Sequence, residues 1–171
     1  MLEGHIALTE SQNLTSIQSY LLSEESKYPG AKGDFTWVLS AISLSAKSKN
    51  YSLNEAYTST FPSGYQNYLA WAHGNGYSQR NAGTLVADVH RILMKGEVFM
   101  YPPTEKAPNG KLRLMYEANP MSMLIEQAGG KSFSGLKRTM EINPRELHER
   151  TSVILGSAGE VEKVQEFLQE E

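Results

Sequence analysis

The spacing of apolar side chains predicts two helices near the N-terminus of the chain. Residues Thr9–Glu25 carry leucines and an isoleucine at helical spacing, and Pro29-Gly30 ends this segment. Asp34 is a candidate N-cap for a second helix over Asp34–Ala46, which is also apolar on one face. The polar run Lys47–Asn50 closes the helical region.

Beyond residue 50, short apolar runs alternate with helical patterns. The predicted strands are Tyr51–Glu55 (leading into a turn or helix), Glu97–Tyr101, Thr139–Ile142 and Ser152–Leu155. The predicted helices are Leu85–Lys95, Met121–Ala128 and Val161–Glu170. A surface loop is expected within Pro62–Gly76, which carries glycines, aromatics and a proline. This alternation indicates an α/β fold in which helices cover a sheet.

Composition narrows the class of protein. The 171 residues are 40% hydrophobic, which fits an ordinary globular domain with a sizeable core. A net charge of -3 gives no basic footprint for nucleic acid, and no apolar run approaches membrane-spanning length. The chain has no cysteine, which excludes disulfides and thiolate metal sites. These features predict a soluble cytoplasmic protein without nucleic-acid or membrane partners.

The acidic residues are unusual in type. Of the 19 acidic residues only two are aspartates, Asp34 and Asp88. Enzymes that transfer phosphoryl groups usually gather several carboxylates around divalent ions, because the metals neutralise the developing phosphate charge. The chain contains no Asp-x-Asp pair and is therefore poor in ligands for such a centre.

One segment concentrates candidate chemistry. Asn109-Gly-Lys-Leu-Arg-Leu-Met-Tyr-Glu-Ala-Asn-Pro-Met121 places a cation, Lys111, and a carboxylate, Glu117, just ahead of an amphipathic stretch. A carboxylate is a hard oxygen ligand suited to Mg²⁺, and a cation suits phosphate or sugar oxygens. The alternative, purely structural roles are that Lys111 is an outward-facing surface lysine and that Glu117 favours the start of a helix. Tyr57 and Tyr101 could equally be half-buried packing residues.

Five ordered blocks resemble one family. They are Tyr51-Ser-Leu-Asn-Glu55, Leu85-Val-Ala-Asp-Val-His-Arg91, Tyr101-Pro102, the segment Asn109–Met121 and Val153-Ile-Leu-Gly-Ser157. Together they resemble the C-terminal part of class I fructose-1,6-bisphosphatase. Gly33-Asp-Phe-Thr36, followed by the predicted apolar helix, is similar to that family's first two helices, where AMP binds. The resemblance predicts residues 1–50 as a helical segment and 51–171 as an α/β sugar-phosphate-binding domain with a mixed sheet.

The resemblance also assigns functional residues. It implies that Asn54, Tyr57, Tyr101 and Lys111 bind the sugar phosphate. Arg80 would reach the phosphate site of a neighbouring subunit, and Glu117 would ligate Mg²⁺. Amide and phenol donors bind an anion without neutralising it, and a guanidinium fork fits phosphate oxygens.

The chain departs from the family pattern in several places. Asn81 stands where the family usually has a tyrosine on the phosphate, and Leu85 where it often has methionine. Lys32 replaces a usual threonine at the AMP site. The family's central region carries most of its metal-binding acids and the groups that activate water. It has no counterpart here, and the break falls near Ala46–Asn50. No residue is therefore assigned as catalytic.

Three hypotheses remain open. The first is the family reaction in gluconeogenesis, in which fructose 1,6-bisphosphate and water give fructose 6-phosphate and phosphate, impaired here because metal ligands are missing. The second is a non-catalytic module that binds fructose 1,6-bisphosphate or fructose 6-phosphate, as a homo-oligomer or in association with full-length subunits. The third is a splice or gene-model remnant whose exposed sheet edge would invite aggregation.

Overall fold

The structure is a computed structural model that describes residues 4–8, 17–23 and 34–170. The chain divides into two compact units, and the division falls between Ser43 and Leu44. None of the helices in the described part of the chain is long and apolar enough to cross a membrane.

The N-terminal unit is an antiparallel sheet of three strands in the order β1-β2-β3. The strands are β1 (Gly4–Leu8), β2 (Ile17–Ser23) and β3 (Asp34–Ile42). In the described residues the helices predicted over Thr9–Glu25 and Asp34–Ala46 are therefore wrong, and residues 9–16 and 24–33 lie outside the described part.

The intrinsic strand preference of its residues explains why β3 is a strand and not the predicted helix. β3 carries Thr36-Trp-Val38 and ends at Ile42, and β-branched and aromatic residues favour strands. Ile42 is buried and pairs with Ile17 of β2. An apolar spacing that suits one face of a helix was therefore insufficient to distinguish helix from strand here.

The C-terminal unit contains eight strands and four α-helices. The strands are β4 (Asn50–Ser52), β5 (Ser78–Gln79), β6 (Val98–Tyr101), β7 (Leu112–Arg113), β8 (Lys131–Ser134), β9 (Lys137–Arg138), β10 (Arg150–Thr151) and β11 (Val153–Gly156). The helices are α1 (Ser63–Gly74), α2 (Leu85–Lys95), α3 (Asn119–Gln127) and α4 (Ala158–Gln169). Two 3-10 turns, Glu55–Thr60 and Thr139–Glu141, and a π-helical turn, Leu114–Ala118, complete it.

The main sheet has six strands in the order β5-β4-β6-β11-β8-β9. β4 runs parallel to β5 and β6, whereas β11 is antiparallel to β6 and β8. β7 and β10 form a separate antiparallel pair. The predicted α/β class with a mixed sheet is confirmed.

Helices cover both faces of this sheet. α1 and α4 pack together on one face, and α2 and α3 contact each other on the opposite face. Because side chains alternate along a strand, Val98 and Met100 of β6 enter the core beneath α1 and α4. Ile154 of β11 joins the same buried cluster.

Most predicted elements of this unit are present, with two differences. The segment expected to contain a surface loop, Pro62–Gly76, holds the helix α1. The strand predicted at Thr139–Ile142 is instead a 3-10 turn, because Ile142 N–H donates to the Thr139 carbonyl as the chain leaves the sheet. The Thr139 hydroxyl is buried within hydrogen-bond distance (2.9 Å) of Ser132 Oγ.

Candidate functional site

A cavity of about 170 Å³ lies where the parallel strands β4 and β6 end. Its walls come from residues just after β4, from the end of β6 with the turn that follows it, and from Lys111. The carboxyl ends of parallel neighbours meet at one sheet edge, and ligands of open α/β sheets bind in the crevice outside that edge. The fold therefore places this cavity where a binding site is expected.

Four of the five residues expected to bind substrate line this cavity. They are Asn54, Tyr57, Tyr101 and Lys111. Asn54 caps the 3-10 turn Glu55–Thr60, since its Oδ1 accepts a hydrogen bond of 3.2 Å from Ala56 N–H. Among the described residues the Asn54 side-chain nitrogen has no hydrogen-bond partner, which leaves two N–H donors for a ligand.

Tyr57 and Lys111 form the polar wall of the cavity. The Lys111 ammonium lies 5.6 Å from the centroid of the Tyr57 ring, and Tyr57 is 51% exposed. Gly110 has φ +88°, and a Cβ at this position would collide with the backbone of Thr151. A glycine is therefore required immediately before Lys111.

Tyr51 supports the turn that carries Asn54 and Tyr57. Its hydroxyl donates to Glu55 and lies 2.9 Å from His73 Nε2. Burial, together with the hydrogen bond to Glu55, raises the pKa of the Tyr51 hydroxyl above its usual range. The hydroxyl therefore stays protonated and keeps donating to the first residue of the turn.

The cavity also contains residues that sequence reasoning missed. Lys106 adds a second cation and Glu105 a carboxylate, and both are exposed. Thr104 and Ala107 exchange two backbone hydrogen bonds of 3.1 and 2.9 Å, which close the turn that carries these side chains. Prolines lie on either side of this turn in the sequence, but nothing there showed which way its side chains face.

Arg80 does not line the cavity. It follows the edge strand β5, and its exposed guanidinium has no partner among the described residues. The neighbouring Asn81 accepts a 2.8 Å hydrogen bond from Gly83 N–H through its side-chain oxygen. Asn81 therefore caps its own turn, where the family pattern has a tyrosine.

Glu117 also lies outside the cavity. One oxygen of its carboxylate accepts a 2.6 Å hydrogen bond from Arg113 N–H, and the other lies 3.2 Å from the Arg113 guanidinium. In the part of the chain that the structure describes, no three His, Asp or Glu side chains come together as a metal ion would require. The described residues therefore do not fit a metal centre around Glu117.

The comparisons with known proteins agree on one family. A family model described as Fructose-1-6-bisphosphatase, C-terminal domain, matches residues 44–169. A protein of Synechococcus sp. (strain JA-2-3B'a(2-13)) named fructose-1,6-bisphosphatase class 1 is 46% identical over 138 residues, which are 80% of this chain and 42% of that protein. A protein of the same name from Synechococcus elongatus is 49% identical over 139 residues, covering 81% of this chain and 40% of its own length.

A solved structure is similar as well. The crystal structure of Leishmania major fructose-1,6-bisphosphatase in holo form superposes with a TM-score of 0.84 at 34% identity, covering 91% of this chain and 47% of that one. The mixed sheet and its helices thus define an α/β protein with the fold of a sugar phosphatase. The chain belongs to the class 1 fructose-1,6-bisphosphatase family. It spans about two fifths of the length of the curated relatives that it matches.

Proposed function

We propose that the chain binds a sugar phosphate, fructose 6-phosphate or fructose 1,6-bisphosphate, without turning it over unaided. The observation that carries the proposal is the convergence of Asn54, Tyr57, Tyr101 and Lys111 on one cavity. These residues come from three separate segments of the sequence. Their convergence at the carboxyl ends of parallel strands is what a binding site requires.

The chemistry of the lining suits a phosphorylated sugar. The amide of Asn54 and the phenols of Tyr57 and Tyr101 supply hydrogen-bond donors, and Lys111 supplies charge. Glu105 adds an acceptor for sugar hydroxyls. A ligand that carries both an anion and several hydroxyl groups matches this mixture.

We propose that the described residues do not supply the groups that hold the divalent ions and activate the attacking water. The family reaction depends on divalent ions, and we expect Mg²⁺ to be the ion. The Glu117 carboxylate already interacts with the backbone N–H and the guanidinium of Arg113, so it is poorly placed to ligate a metal ion. Glu117 alone cannot supply the ligands that two or more ions need.

We further propose that the chain acts as an oligomer, either with itself or with full-length subunits of the family. The exposed guanidinium of Arg80, which does not line the cavity of its own chain, supports this idea. An arginine in that position is available to a phosphate held by a neighbouring copy. The setting that we propose is cytoplasmic carbohydrate metabolism, in keeping with the absence of cysteine.

Calorimetric titration with fructose 6-phosphate tests the binding proposal. Lys111→Met should weaken binding by about tenfold or more, because a charge-assisted hydrogen bond is lost. Lys137→Met is the matched control, since Lys137 is an exposed cation on β9 outside the cavity. Absence of saturable binding to the unaltered chain, or an equal loss in the control, would contradict the proposal.

The second candidate is the family's phosphatase reaction by this chain alone, which family membership favours. Its test is phosphate release from fructose 1,6-bisphosphate with Mg²⁺ or Mn²⁺, beside a Glu117→Gln variant. Release that the substitution abolishes would establish catalysis and place a metal at Glu117. Release equal in both chains would point to a contaminating phosphatase.

A further inference from the structure

A buried ion triad connects α2 to the main sheet. The Arg91 guanidinium lies 2.7 Å from Asp88 Oδ1 and 2.9 Å from Glu97 Oε2. Both carboxylates are 1% exposed, and Ser52 Oγ on β4 donates a 2.8 Å hydrogen bond to Asp88. Buried carboxylates are costly unless they are fully paired, so each of these contacts matters.

The triad also holds an exposed segment, Arg80–Ala82. Ala82 N–H donates to both oxygens of Asp88, at 3.1 and 3.2 Å. Arg91 Nη2 donates a 2.6 Å hydrogen bond to the Arg80 carbonyl, and Arg80 N–H donates to Tyr51 O at 2.8 Å. Both backbone polar groups of Arg80 are thereby fixed, although the residue itself lies at the surface.

The guanidinium of Arg91 remains charged in this environment. Burial lowers its pKa, but the hydrogen bonds to Glu97 and Asp88 outweigh that effect and raise the pKa above its usual value. A rigid planar fork can bond two carboxylates and a carbonyl at once, whereas a lysine ammonium on a flexible stem cannot reproduce that geometry. Arg91 therefore joins the interior charges to the backbone of the segment.

A purely structural role leaves part of the arrangement without an explanation. Apolar side chains of similar volume often stabilise a core at least as well as a buried ion pair. Here one carboxylate and the guanidinium both end on the backbone of a segment that presents an exposed, unpartnered arginine among the described residues. The ions fix the backbone of Arg80–Ala82, which apolar packing would leave without these hydrogen bonds.

We propose that Asp88 and Arg91 are positioning residues, which hold Arg80–Ala82 so that the Arg80 guanidinium is presented to a phosphate group. The proposal rests on the proposed sugar-phosphate binding and adds to it the residues that orient a contributing cation. Neither Asp88 nor Arg91 lines the cavity, so any effect on binding must pass through another residue.

A double-mutant cycle tests the dependence on Arg80. Dissociation constants for fructose 6-phosphate are measured for the unaltered chain, Arg80→Ala, Arg91→Lys and the double variant. We expect Arg91→Lys to weaken binding by about fivefold alone and by nothing further in the Arg80→Ala background. An equal loss in both backgrounds would mean that Arg91 acts through general stability and would overturn the proposal.

Arg138→Lys is the matched control for replacing a forked arginine. Arg138 donates through Nε and Nη2 to the two oxygens of Glu126, at 3.0 and 2.6 Å, outside the cavity. The Arg138→Lys substitution should leave the dissociation constant within about twofold of that of the unaltered chain, because Arg138 does not hold the segment that presents Arg80. A loss as large as that of Arg91→Lys would also count against the proposal.

Amide hydrogen exchange separates this proposal from the proposed function. Arg91→Lys and Asp88→Asn should speed exchange at Ala82 while leaving Ile154, in the centre of the sheet, unchanged. If the unaltered chain does not bind fructose 6-phosphate, the proposed function and the phosphate part of this proposal both fail, and faster exchange at Ala82 supports the holding role alone. Unchanged exchange at Ala82 in a folded Arg91→Lys chain overturns the holding role, even if Asp88→Asn fails to fold.

Discussion

Lys111 and Tyr57 meet at the cavity wall, where the lysine ammonium lies 5.6 Å from the centroid of the tyrosine ring. They come from segments more than fifty residues apart in the chain. The contact has cation–π geometry, in which the ring attracts the ammonium while its N–H donors remain available. The tyrosine can thus orient the lysine as well as offer its own hydroxyl to a ligand.

Two substitutions of Tyr57 should separate these roles. Tyr57→Phe removes only the hydroxyl and should weaken fructose 6-phosphate binding by several-fold, whereas Tyr57→Leu also removes the ring and should weaken it by about tenfold. Calorimetric titration measures both. Tyr116→Phe is the control, because Tyr116 is exposed and its hydroxyl lies 2.7 Å from His148 outside the cavity. An equal effect in the control would argue against a role specific to Tyr57.

Two glycines of α1 should respond in opposite ways to alanine. A Cβ at Gly64 would lie 2.8 Å from the Phe167 carbonyl oxygen on α4, whereas a Cβ at Gly74 would meet nothing within 4 Å. Gly64→Ala should therefore destabilise the chain by about 1–3 kcal/mol through overpacking. Gly74→Ala should be neutral or stabilise it by up to about 1 kcal/mol. Urea unfolding measures both, and equal effects would contradict the close approach of α1 and α4.

Alkaline pH should destabilise the fold through Tyr77, which is partly buried against the core. Burial, with the hydrogen bond to Glu160, raises the pKa of Tyr77 from 10.0 to about 12. The unfolded chain therefore loses this proton before the folded chain does, so the stabilisation is complete below pH 10 and is lost as the pH rises toward 12. Tyr77→Phe should lower the dependence of unfolding free energy on pH in this window by about one proton. An unchanged slope in the variant would contradict the assignment.

The C-terminal unit should unfold in one cooperative step. Trp71 packs against Tyr77, Phe167 and Tyr68, with ring centroids 5.1, 5.9 and 5.9 Å away. In a Trp37→Phe variant, the fluorescence of Trp71 should change at the same temperature as the far-UV circular dichroism. Separate transitions would favour the hypothesis of a remnant that does not fold as a unit.

The local sequence pattern was sufficient to predict an element whose own residues determine its secondary structure. Helix α2 runs over Leu85–Lys95, as predicted, because its apolar positions recur at helical spacing and Gly96 ends it with φ +71°. Helix α1 was missed because Gly64 and its aromatics are poor helix formers, and contacts with α4 override that preference.

The residues of the candidate site were also only partly predictable from the sequence. Asn54, Tyr57, Tyr101 and Lys111 were named through blocks that resemble a family, and the structure brings all four to one cavity. Lys106 and Glu105 were missed because a turn's sequence does not reveal which cavity its side chains face. Two partners of Asp88, Ser52 and Ala82, were missed as well, since they lie on other segments of the chain, whereas Arg91 lies on the same helix.

Phosphorus NMR of fructose 1,6-bisphosphate with the purified chain and Mg²⁺ tests the central claim most directly, because one time course reports both binding and hydrolysis. The account predicts that the resonances of the bisphosphate shift or broaden on addition of the chain, that Lys111→Met reverses this change, and that no orthophosphate resonance grows. An orthophosphate resonance that grows with the unaltered chain and not with Glu117→Gln would contradict the claim of binding without turnover. An unperturbed spectrum would contradict the claim that the cavity binds a sugar phosphate.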